Sequence, residues 1–302
     1  MSDLGQLDHD PYVVLDPRFA DCVVPGGRAE RLWTGGIWTE GPVWFDAWGY
    51  LVWSDIPNNR MLRWDEVDGR LTSFRQPSFG ANGNTVDGQG RLITCEGSAR
   101  RVTRTDKDGV TVLAATFQGK RFNAPNDVVV KSDGTIWFTD PSYGGPDYQG
   151  GPEMDGCHVY RLDPVTGKVT RVTHDMVMPN GLAFSLDETA LFVVDTGSTE
   201  GPDKPNHIRR FGVESDGSLS GGEVFCTSAA KAFDGIRFDD QHRLWCSEQD
   251  GVHCYAVDGT LIGKILLPEP AANVCIGGAV GQTLFITATT SLYRVPVGAR
   301  RP

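Results

Sequence analysis

No stretch of this sequence approaches the roughly 18 consecutive apolar residues of a membrane-crossing helix, so no span is expected. Sustained apolar spacing of the helical kind is also missing, which argues against a helical bundle. Basic clusters are absent. The chain carries 28 Lys and Arg against 39 Asp and Glu, a net charge of -11, and the Arg100-Arg101 pair and Lys204 stand alone, so nucleic acid is excluded as a partner. Met1 to Asp10 have neither a basic start nor an apolar segment, so no secretory leader is read. Seven cysteines without a Cys-x-x-Cys pair speak against a disulfide framework or a zinc-thiolate centre, and runs such as Leu244-Trp245-Cys246-Ser247 read as buried strand. A cytoplasmic location is expected. No Gly-x-Ser-x-Gly elbow or phosphate-cradling glycine loop occurs, and the six His show no paired ligand spacing.

What the sequence has is turns. It contains 37 Gly and 18 Pro, with many short β-branched runs between them. The stretch from Pro125 to Asp140 sets the pattern: a polar opener, Val128-Val129-Val130, an Asp133-Gly134 step, and Ile136-Trp137-Phe138-Thr139 ending in an acid. Two strands joined by a short hairpin at the Asp-Gly step are expected there. The same order recurs from Glu40, from near Asn82, from Asn180 and from Asp234, each unit having room for four short strands. A sixth unit, Asn273 to Val297, has about three, and Leu32-Trp33 can supply the fourth. Six such units predict an all-β fold, a six-bladed β-propeller with blades of four antiparallel strands, its ring closed by an N-terminal strand. The expected organisation is an extended arm over residues 1–29, the propeller over 30–298 and a tail over 299–302.

In such a ring the residues that open each first strand lie together at one end of the channel. In register these are Glu40, a position near Asn82, Asn126, Asn180, Asp234 and Asn273, with Asn126, Asn180 and Asp234 each 54 residues apart. Singly, Asn-Gly, Asp-Gly and Pro-Asn are ordinary turn dipeptides. Jointly, two carboxylates and two amides converging in a desolvated channel call for a cation between them. An all-oxygen set suits calcium, magnesium or manganese. Asp55, Glu96, Asp140, Asp195 and Glu248 end second strands, where the usual task is to cap loops. Insertions at Tyr143 to Gly156 and Thr196 to Pro205 would overlie the channel mouth.

Glu40-Gly41-Pro42-Val43-Trp44 with Trp53-Ser54-Asp55-Ile56, Asn123-Ala124-Pro125-Asn126-Asp127, Pro179-Asn180-Gly181-Leu182 and Phe233-Asp234-Gly235 resemble the senescence-marker-protein-30/gluconolactonase family. The likeness runs over about residues 31 to 298. It implies a six-bladed propeller with one divalent ion in its channel, calcium foremost with magnesium, manganese, zinc or iron(II) as alternatives. It also implies hydrolysis of a small-molecule sugar lactone such as gluconolactone. By matching motif, Glu40, Asn126, Asn180 and Asp234 would hold the metal, and Asp234 would also transfer the proton. Asn126, with Asn82, Tyr143 or Tyr148, would contact substrate. Ala124 stands where the animal branch has Arg, which makes the bacterial branch the nearer one; Gly97 stands where that branch has His. The alternative activities are a phosphotriesterase or aromatic lactonase on the same metal, or a non-enzymatic propeller scaffold. Oligomeric state is not legible.

Overall fold

The computed structural model describes residues 4–144, 150–228 and 232–302. Six sheets stand around one axis, each a meander of antiparallel strands with the first strand innermost. Blade one is Thr39–Phe45, Tyr50–Asp55, Arg60–Asp65 and Leu71–Arg75. Blades two to five repeat the order from Ala81–Val86, Val128–Val130, Pro179–Phe184 and Ile236–Phe238. Blade six takes Ala271–Gly277, Thr283–Ala288 and Ser291–Pro296 from the C-terminal part of the chain and Glu30–Thr34 from the N-terminal part, so the ring is closed as the sequence implies. Among the described residues no helix is long and apolar enough to cross a membrane.

The turns at the far end from the openers are built by aspartate side chains. Asp87, Asp133, Asp187 and Asp239 occupy the same place in blades two to five, and each carboxylate accepts the backbone N–H two residues on. This is the Asx turn, a local substitute for a backbone turn. The short hairpin expected at Asp133-Gly134 is present, joining Val128–Val130 to the antiparallel Ile136–Asp140. Lys131 N–H donates to Thr135 C=O and Gly134 N–H to Lys131 C=O, with Gly134 at φ +84°. Three residues therefore form the loop, and its last, in the left-handed region, is glycine.

Every space between neighbouring blades holds its own apolar core. Trp53, Trp137 and Trp245, from second strands, are among the largest fully buried side chains, and truncating one would cost about 3–5 kcal/mol. Trp137 and Trp245 also donate their indole N–H to Thr135 and Asp239. The seven cysteines are unpaired and six are buried. Ahead of the closing strand, Tyr12–Val14 pairs with the outer strand of blade five, and Phe19 packs on Trp245 with ring centroids 6.0 Å apart.

Candidate active site

The channel end opposite the aspartate turns owes its shape to irregular pairing. In blades one, two, four and six the register slips at the start of the innermost strand: between Glu40 and Val43, Ala81 and Asn84, Pro179 and Leu182, and Ala271 and Asn273. A bulge of this kind inserts one residue, bends the strand and re-aims a side chain. Neighbouring blades are also tied at these points. Gly83 N–H donates to Asn126 C=O at 2.7 Å and Gly235 N–H to Ala272 C=O at 2.8 Å.

That second bond corrects the expected register. Ala272, not Asn273, stands where Asn126 stands, so blade six presents a methyl group at the opening position. The extra bulge residue shifts Asn273 one place deeper. There its Oδ1 accepts from Val274 N–H and its side chain bonds to Glu40.

Immediately below the openers lies a second ring: Gly41, Gly83, Asp127, Gly181, Gly235 and Asn273. The glycines are required by crowding at the axis. A Cβ on Gly41 would lie 2.1 Å from Asn82 O, on Gly83 2.5 Å from Asp127 Oδ1, on Gly181 2.3 Å from Asp234 O, and on Gly235 2.1 Å from Asn273 Cγ. The room left by glycine is thus filled by Asp127 and Asn273, both almost fully buried.

Above this floor is a cavity of about 300 Å³. It is lined by Glu40, Asn82, Asn126, Tyr143, Asn180 and Asp234, the six residues singled out from sequence, together with Trp38, Ile56, Thr196 and Thr199. Tyr148 lies outside the described residues. Glu40, Asn126 and Asn180 are buried, whereas Asp234 keeps partial exposure to the cavity. Burial first, and then the charge of Asp127, raises Glu40 to about 7, against hydrogen bonds from Gly41 N–H at 3.0 Å and from Asn273 and Trp38. Asp234 is pushed well above the usual carboxylate range by burial, then by Glu40 and Asp127, although Asn180 bonds to it. Tyr143 is 41% exposed as a residue, yet its hydroxyl is enclosed; it lies 3.5 Å from Thr199 Oγ1, and burial pushes it up to about 12.

Among the described residues no group of three or more His, Cys, Asp or Glu side chains is arranged to hold a metal ion. The candidate set here is of another kind, two carboxylates and two amides. A second cavity, about 340 Å³, lies at the opposite end of the channel and includes Trp44, Val86, Phe184, Arg237 and Arg301. Most strand-ending acids serve their loops: Asp55 accepts from Arg60 and Asn58, Asp140 from Asn123 N–H, Asp195 from Val177 and Met178 N–H, and Glu96 from Arg101 and Thr103.

Residues 38–290 match the family described as SMP-30/Gluconolactonase/LRE-like region. The chain belongs to that family. A gluconolactonase of Zymomonas mobilis is 33% identical over 287 residues, 85% of this chain and 78% of the relative. A pentonolactonase of Haloferax volcanii is 28% identical, covering 82% and 80%. The solved structure of a gluconolactonase from Xanthomonas campestris superposes with a TM-score of 0.89 at 36% identity, over 98% of each chain. Within this SMP-30/gluconolactonase member, Gly97 and Ala124 both line the cavity, so the two departures noted in the sequence fall on its wall. Sequence reasoning passed over Asp127, Trp38 and Arg237. A signal for Asp127 was present: Glu40-Gly41, Asn180-Gly181 and Asp234-Gly235 each pair an opener with glycine, and Asn126-Asp127 breaks the rule.

Proposed function

We propose that this protein hydrolyses a sugar lactone, an aldonolactone such as gluconolactone, in the cavity over Glu40 and Asp234. The observation that carries the reading is the meeting of the buried Glu40 and the cavity-facing Asp234 with Asn126 and Asn180. Burial and the charge of Asp127 raise the proton affinity of both acids, and Glu40 raises that of Asp234 as well, an arrangement that a cation would relieve. The residues fit a divalent ion: Glu40, Asn126, Asn180 and Asp234 would hold it, all through oxygen, which suits calcium or a comparable hard ion. When bound, such an ion supplies a Lewis acid that polarises the ring carbonyl. Asp234, facing the cavity with its raised proton affinity, accepts a proton from the attacking water and returns it to the departing ring oxygen. Asn126, Asn82 and the Tyr143 hydroxyl orient the sugar hydroxyls. Thr196, Thr199 and Gln249 add further polar groups to the wall, which favours a hydroxylated substrate over an aromatic lactone or a phosphotriester. The names of the bacterial and archaeal relatives, lactonases acting on sugar acids' lactones, support the same reaction class.

The test is to strip the protein with chelator, restore single divalent ions, and follow acid release from five- and six-membered aldonolactones. Turnover restored by one ion is the expected result. Tight ion binding without turnover on any lactone would overturn the assignment.

A further inference from the structure

We propose that Arg237 is a positioning residue which, through Asp127, sets the charge of the ion site to match a divalent cation; this rests on the ion-binding reading above. Asp127 occupies a place where four blades have glycine, and it is 1% exposed beneath Glu40 and Asp234. Both of those acids respond to its charge. Its Oδ1 accepts from Val128 N–H at 2.9 Å, and its Oδ2 faces Arg237 Nη1 at 3.4 Å. The same Nη1 donates to Leu182 O at 3.2 Å and Ile236 O at 2.7 Å, so two backbone carbonyls hold the guanidinium on the axis. Arg237 also lines the lower cavity.

The charge count follows from these contacts. With the acids ionised around a bound ion, Glu40, Asp127 and Asp234 would bring three negative charges to the axis and Arg237 returns one positive, which leaves two for the ion to neutralise. Glu248 also acts on Asp234, more weakly than Glu40 and Asp127 do. Without Arg237 the count becomes three, and a site of charge three favours a trivalent ion over a divalent one of similar size. In a partly desolvated channel one unit of charge changes that preference by about tenfold or more.

The experiment titrates the metal-free full chain with calcium and with lanthanum at pH 8 by calorimetry. Arg237→Gln is expected to raise lanthanum affinity relative to calcium by about tenfold or more. Arg237→Lys, which keeps the charge, is expected to stay near the wild-type ratio. Asp127→Asn is expected to move the ratio the other way. If Arg237→Gln does not fold, Asp127→Asn decides alone. A ratio unchanged by Asp127→Asn, or by a cooperatively melting Arg237→Gln, would overturn the inference while leaving the ion site intact. A wild type that binds neither ion would remove the ion-binding reading and this inference together.

Discussion

The two ends of the channel are made by the same strands, yet they are held in opposite ways. At the lower end each aspartate is satisfied. Asp239, fully buried, accepts from Gln241 N–H, from Arg243 N–H and Nε, and from the Trp245 indole. At the upper end Glu40 and Asp234 face each other and Asp127, with hydrogen bonds that do not offset their burial. The contrast separates fold from chemistry. Paired acids at the turns stabilise blades, and crowded acids at the bulges store an electrostatic cost that a bound cation would relieve.

The widest break in this comparison comes from removing one acid at each end. Asp234→Ala is expected to lower lactone kcat/KM by about 10²–10⁴-fold, while the metal-free variant melts no lower than wild type at neutral pH. Asp239→Ala should do the reverse. It strands the buried Arg243 guanidinium and costs about 3–5 kcal/mol, with turnover per folded molecule unchanged. Steady-state kinetics and thermal melts on both variants check this; an active Asp234→Ala would end its role as proton carrier.

A smaller effect concerns pH. Glu40 is raised from 4.5 to about 7 in the folded chain. Between those values the folded state holds a proton that the unfolded chain has released, so stability is fully present below about 4.5 and is lost as pH rises through about 7. The loss is on the order of 3 kcal/mol in metal-free protein. Asp140 and Glu248, also raised to about 7 by burial, pull the same way. The difference between wild type and Glu40→Gln therefore isolates the site. Denaturant melts from pH 5 to 8 should show a steeper decline in the wild type, and a saturating divalent ion should flatten it. Parallel declines would mean that Glu40 ionises freely.

The same contrast explains what sequence could and could not convey. The lower end is written in local chemistry, since an Asx turn is decided by residues within four positions, and so Asp133, Asp187 and their counterparts announced the blades. The openers were legible because they recur at the start of each unit. Their register was not fully so: the slip between Ala271 and Asn273 adds a residue that spacing alone cannot see, and it moved Asn273 beneath the ring while placing Ala272 in it. Asp127 and Arg237 escaped for a further reason. They meet 110 residues apart, through a crossing of the axis that no single blade encodes.

The smallest change tests how far substrate reaches from the acids. The nearest atoms to a Cβ on Gly97 would be the carbonyl oxygens of Gly80, Pro125 and Gly144, at 3.6, 3.6 and 3.7 Å, ordinary contact distances. Gly97→Ala should therefore change stability by less than about 0.5 kcal/mol. The three carbonyls frame a hollow in the cavity wall, and the added methyl would take part of it from the substrate. For a lactone whose side arm enters that hollow, KM should rise by roughly tenfold with kcat little altered, and a lactone without the arm should be affected less. Equal KM changes across both substrates would place the arm elsewhere, toward Tyr143 and Thr199, and would make Gly97 a spacer between blades rather than part of the wall that selects the sugar.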